Sequence, residues 1–166
     1  KEFFAATGAP GADYRKPISG NAPILRDFSS GAKLIREKPR LVSLEGYLFP
    51  DTYFFLKSES PEEVVIKMLA NLERKITPEI REEIAQQGRN IHDVLTVASL
   101  LEEEAHRDED RKIIAGIVWK RIEKGMPLQV DAALTYVTGK ASLSLSNGDL
   151  RQDSPYNTYR HKGFPL

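Results

Sequence analysis

The sequence predicts an α+β fold that is mainly helical with a minor β component. Three observations carry this. Beyond residue 60, four stretches repeat apolar residues with a helical period, each between recognisable start and stop residues. Ahead of them, "LVSLEGYLFPDTYFFL" (41–56) is rich in aromatics around Pro50-Asp51 and reads as two short extended runs about a turn. The 166 residues are 40% apolar, enough for a real core in one domain with a small flanking lobe.

The first 40 residues are weakly periodic and broken by "GAPGADYRKP", "SGNAP" and "SSGAK". They predict an irregular, partly helical lobe over 1–40, followed by the main domain over 41–166. The first clear helix opens at Ser60, with Pro61 in its first turn and Glu63 completing a capping box. Val65, Met68, Leu69 and Leu72 form its apolar stripe. Thr77-Pro78 opens the second, which Gly88 closes as a C′ residue. The third runs from about Asn90, its cap, to His106. The fourth starts near Asp108 and stops at Gly125, with Ile113, Ile114, Ile117 and Val118 inward. After Pro127 the periodicity loosens through "LQVDAALTYVTGK", a turn at Asn147-Gly148 and "SPYNTYRHKGFPL".

Composition narrows the function. Lysine plus arginine equals aspartate plus glutamate at 24 each, so no net field draws the chain to nucleic acid or anionic lipid. The absence of cysteine removes disulfides, thiol nucleophiles and cysteine-based zinc sites. His92, His106 and His161 lack the i, i+4 spacing of a helical metal pair, so no metal is expected. No stretch approaches 18 uninterrupted apolar residues, and the first residue is not methionine, which suggests a piece of a longer protein.

The chemistry concentrates in "LLEEEAHRDEDR" (100–111), where three glutamates follow a strongly apolar run. At about 100° per residue, Val94, Val97, Ala98, Leu101 and Ala105 share one face. Glu103 lies opposite that face and is solvated. Glu102 and Glu104 lie on the two edges of the stripe, where either could stand at the rim of a groove. Partial burial there would raise a carboxyl pKa and suit it to donate a proton. The wheel does not choose between them.

Four stretches in order, "LEGYLFPDTY" (44–53), "LTVASLLEEEA" (95–105), "RKIIAGIVWKRIEKGMPLQVDAALTYVTG" (111–139) and "SPYNTYRHKGFPL" (154–166), resemble the endolytic murein transglycosylases, the MltG or YceG-like family. The resemblance implies a lysozyme-like transglycosylase catalytic domain over 41–166. It also implies a single catalytic acid, the second of two separated acids in the helix motif, which here is Glu104. This chain departs from the motif with Glu103 in place of a basic residue and Ala105 in place of threonine. The resemblance further implies sugar-binding roles for Gln129 and Asp131 in "PLQVD" and for Tyr156 and Asn157 in "PYNTY". Tyr136 and Glu45 are weaker candidates, Glu45 as an orienting acid or a partner for Arg121. Read without the resemblance, Tyr156 and Tyr159 are core aromatics, "SPYN" is a turn, and "FPDTY" is a rigid turn with Asp51 capping its own backbone.

The activity so implied is non-hydrolytic cleavage of the MurNAc–GlcNAc β-1,4 bond of peptidoglycan glycan strands, leaving a 1,6-anhydro end and needing no cofactor. The implied partners are glycan strands and peptidoglycan synthases. The implied setting is the extracytoplasmic side of a cell membrane, reached through an N-terminal helix and a LysM-like domain that this sequence does not contain. Two alternatives belong to other classes. One is a non-catalytic glycan-binding scaffold, which would not need Glu104 on the groove side. The other is a pyridoxal-phosphate-dependent aminodeoxychorismate lyase, a label such sequences have carried; the glycine-rich phosphate cup it requires is not apparent.

Overall fold

The computed structural model describes Leu34, residues 37–39 and residues 44–165. The lobe expected over 1–40, and its expected boundary with the main domain, fall almost wholly outside those residues. Helices dominate the described part: α1 (Pro61–Lys75), α2 (Pro78–Gln86), α3 (Ile91–Glu104), α4 (Asp108–Glu123), α5 (Asp131–Thr138), a 3-10 turn (Ser142–Ser144) and α6 (Asn147–Leu150). None of the helices formed by the described residues is long and apolar enough to cross a membrane. Contacts divide the chain into two units, Lys1–His92 and Asp93–Leu166.

In the first unit, local chemistry sets the helix ends as the sequence predicts. The Ser60 hydroxyl accepts from the Glu63 amide, and Glu63 accepts from the Ser60 amide in return. Thr77 caps α2 in the same way through the Ile80 amide. At its other end Gly88 takes φ +65°, and the Gly88 and Arg89 amides donate back to Ala85 and Ile84. This is a Schellman closure, which a residue without Cβ favours. Val65, Leu69 and Leu72 of α1 are buried, each a side chain whose removal from water is worth about 1.5–3 kcal/mol. Tyr47 is buried too, with its hydroxyl 2.9 Å from His92 Nδ1.

The two extended runs expected in 41–56 do not form a sheet. Residues 41–43 lie outside the described residues, Leu44–Tyr47 is a turn with Gly46 at φ +79°, and 49–56 has no regular secondary structure. Side chains of α1 satisfy that segment instead. Asn71 donates to Asp51 Oδ2 and Tyr53 Oη, both at 2.9 Å, and Lys67 donates to the Phe54 carbonyl. Asp51 also accepts from the Thr52 amide, the self-capping expected of it.

The second unit is built on α3, α4 and the segment that follows. Val97 and Leu100 of α3, Val118 of α4, and Leu128, Val130, Ala132 and Ala133 form its core, with Leu101, Ile114, Trp119, Ile122 and Phe164 packed on it. The register differs from the wheel at particular residues. Ala98 is exposed and Leu100 is buried in its stead. Ile113 and Ile117, expected inward, are 63% and 49% exposed. The α4 sequence carries apolar residues at both i, i+3 and i, i+4 steps, giving two competing stripes, and packing selects the one through Ile114, Val118 and Ile122. Gly125 ends α4 at φ +61° with a second Schellman closure, the Met126 amide returning to the Arg121 carbonyl.

Beyond Pro127 the loose periodicity conceals α5, and the expected turn at Asn147-Gly148 is the opening of α6, capped by Ser146. The minor β component reduces, among the described residues, to one antiparallel bridge between Pro127 and Lys162. Beside it, segments 127–131 and 158–162 run together. Gln129 N–H donates to the Thr158 carbonyl, and the Thr158 hydroxyl both accepts from Val130 N–H and donates to Val130 C=O. That strap fixes where α5 begins.

Candidate active site

The three glutamates at the end of α3 have three different environments. Glu102 reaches Arg111, which stands 3.7 Å away and also donates to the Ala105 carbonyl and to Asp108. Arg111 thereby ties the end of α3 to the start of α4. Glu103 is exposed, as the wheel predicts. Glu104 alone turns toward α5. Its Oε1 accepts a long hydrogen bond, 3.4 Å, from the Ala132 amide.

That contact has a clear physical cause. The N-cap of α5 is Val130, whose side chain cannot satisfy the free amides of the first turn. A carboxylate brought in from another helix can do so, and the positive end of the helix dipole favours it there. Glu104 also lines an open cleft of about 420 Å³ with Ala105, His106, Arg107, Asp110, Ile113 and Ile114. The carboxyl is thus exposed on a cleft while one of its oxygens is oriented by a helix end.

Asp131, the first residue of α5, lies next in chain to that amide. Its two oxygens accept from hydroxyls, Oδ1 from Tyr159 and Oδ2 from Ser142, each at 2.5 Å. The Tyr159 phenol is pushed up to about 12, first by burial, then by its hydrogen bond to Asp131, with the negative charges of Asp131 and Glu104 adding to the effect. It therefore stays neutral and protonated around neutral pH. The sequence alone reads Tyr159 as a core aromatic. The only signal for it was its place in "PYNTY", which says nothing of a partner 28 residues away.

Asn157, expected as a sugar contact, lies inside the fold. It is fully buried, and its amide is committed within its own segment. Nδ2 donates to the Leu150 and Gln152 carbonyls, and Oδ1 accepts from Tyr159 N–H. No hydrogen is left over for a sugar. Asn157 shapes the loop that carries Tyr159.

Gln129 is exposed and has φ +54°, the single positive-φ residue other than glycine among those described. Its Oε1 accepts from Arg121, which also donates to the Leu128 carbonyl. Tyr136, 48% exposed, and half-buried Tyr156 stack obliquely, ring centres 5.3 Å apart. Glu45 lies exposed on the Leu44–Tyr47 turn of the first unit. The second unit therefore brings together Glu104, Asp131 and Tyr159, with Gln129 two residues before α5.

Comparison with known proteins gives a consistent result. The profile of the YceG-like family matches residues 12–166. The chain is 38% identical over 125 residues to an endolytic murein transglycosylase of Streptococcus pneumoniae serotype 2, covering 72% of this chain and 22% of that protein. It is 40% identical over 120 residues to one of Bacillus subtilis, covering 72% and 33%. A crystal structure of a yceG-like protein from Listeria monocytogenes superimposes with a TM-score of 0.72 at 30% identity, over 99% of this chain and 52% of that one. The chain thus spans from about a fifth to a third of the length of the curated relatives.

Proposed function

Because the chain belongs to the YceG-like family, we propose that it is the catalytic part of an endolytic murein transglycosylase with Glu104 as its acid. The observation that carries this reading is the Glu104 carboxyl, open to a cleft and oriented by the amide end of α5. We read the second unit as a lysozyme-like catalytic fold in which that helix end holds the acid.

In the proposed reaction Glu104 gives its proton to the glycosidic oxygen as the C1–O bond of the muramic acid breaks. The resulting carboxylate takes the proton of the C6 hydroxyl on the same sugar, and O6 closes on C1. One C–O bond is lost and one is gained, the carboxyl regains its proton, and no water enters. Ordinary glycosidases flank the bond with two carboxylates. Here the nucleophile belongs to the substrate, so proximity does the work of the second acid. Gln129 and the Tyr136–Tyr156 pair are the proposed sugar contacts, an amide for acetyl and hydroxyl groups and rings for apolar sugar faces. Within the longer protein we place this domain on the outer side of the cell membrane, acting beside peptidoglycan synthases.

The test is digestion of purified glycan strands by the full-length protein in heavy-oxygen water. Anhydro ends without label are expected. Label at C1 would make the protein a hydrolase, and intact strands that remain bound would make it a scaffold.

A further inference from the structure

We propose that Tyr159 is a positioning residue for Glu104, acting through Asp131 and the first turn of α5. The geometry is a short relay. Asn157 accepts from the Tyr159 amide and so fixes where that residue stands. The Tyr159 hydroxyl donates to Asp131 Oδ1 at 2.5 Å, while Ser142 donates to Oδ2 at the same distance. Asp131 is thereby held by both oxygens, and its neighbour Ala132 presents the amide that Glu104 accepts.

Each link has a reason to be there. The first turn of an eight-residue helix without a side-chain cap depends on contacts from outside, because its amides have no partner within the helix. Two hydroxyls on Asp131 hold that turn from outside the helix. The Glu104 bond to Ala132 is long, so a small drift of the turn would release the carboxyl. Tyr159 is half-buried and its phenol is pushed up to about 12, so the hydroxyl keeps the proton that it donates to Asp131 at neutral pH. Tyr159 need not touch substrate for this purpose. The inference also changes the part given to Asp131, from sugar contact to anchor.

The experiment has two arms, and the first does not depend on any activity. In the whole chain, the Ala132 amide resonance should move when Glu104→Gln is introduced, because the group it donates to has lost its charge. In a Tyr159→Phe background the same substitution should move it far less, since the contact is already loosened. Equal responses in both backgrounds would overturn the proposal, as would a Tyr159 ring signal that titrates near the ordinary value of about 10 rather than about 12.

The second arm rests on the function proposed above and uses full-length protein on glycan strands. Tyr159→Phe should lower kcat by about tenfold to a hundredfold, as expected for a displaced catalytic group, with glycan affinity and melting temperature nearly kept. Asp131→Asn should do the same, and the double variant should be scarcely worse than either, because both cut one relay. Unchanged kcat in an active Tyr159→Phe protein would sink the inference and leave the function standing. A parent protein that cuts nothing would count against the function alone, with the resonance experiment then deciding the relay.

Discussion

At the scale of single residues, position within one helical turn separates three chemically identical side chains. Glu104→Gln keeps shape but cannot shuttle a proton, and strand cleavage by the full-length protein should fall by about 10²–10⁴. Glu103→Gln should leave both rate and stability unchanged. Glu102→Gln removes an exposed pairing with Arg111, so thermal unfolding should reveal a loss under about 1 kcal/mol with no rate effect. Cleavage lost through Glu102 instead would place the acid half a turn away. Tyr159 gives an alkaline prediction. Its folded pKa lies above the unfolded one, so its contribution is complete below about 10 and is lost as pH rises through about 12. Tyr159→Phe should flatten that limb of the stability profile. Glu104 was legible only in part: helix period leaves Glu102 and Glu104 equal, and the motif alone chooses between them. Asn157 and Tyr159 were not, because their roles depend on which carbonyls and carboxylates fold back onto them from other parts of the chain.

At the scale of elements, the chain is most readable where a few adjacent residues decide the outcome. Ser60→Ala removes a reciprocal cap and should cost about 1 kcal/mol in chemical unfolding. Gly125→Ala forces a Cβ into the left-handed region and should cost about 1–2 kcal/mol. Within α6, Asp149 accepts from Lys140 at 2.7 Å and from Ser146, which hold its carboxyl well below its ordinary 3.8. The folded state then binds fewer protons than the unfolded one, so this contribution is present above pH 4 and fades as pH falls below it. Acid unfolding followed by circular dichroism should come at lower pH in the parent than in a chain whose Lys140–Asp149 pair is cut by Lys140→Met. The Ser60 and Thr77 caps and the closing Gly88 and Gly125 are read correctly from the sequence for the same reason that these effects are local. In place of the strands expected in 41–56, the segment is held by side chains of a helix that starts at Pro61: Asn71 through the side chains of Asp51 and Tyr53, and Lys67 through the Phe54 carbonyl. The inward face of α4 is half right: Ile114 and Val118 pack on the core as expected, while Ile113 and Ile117 lie on a stripe that continues into Lys120 and Lys124 and is exposed.

At the scale of the whole molecule, equal numbers of acids and bases leave no long-range field to guide a charged polymer. Association with glycan strands should therefore change little between about 50 and 300 mM salt, a range over which screening shortens to within about 10 Å. A steep loss of binding with salt would point to an ionic docking surface not counted in the cleft. The strap that joins 127–131 to 158–162 has a consequence of a different kind, in time. The helices α3 and α4 are neighbours in sequence and can pack as soon as both have been made. The groups that orient the carboxyl of Glu104 are spread across more than fifty further residues, closing only when Thr158 meets Val130 and Tyr159 meets Asp131. Distant contacts of this sort form late. During synthesis, at roughly 5–20 residues per second, the Glu104 carboxyl would exist for seconds before the residues that hold it.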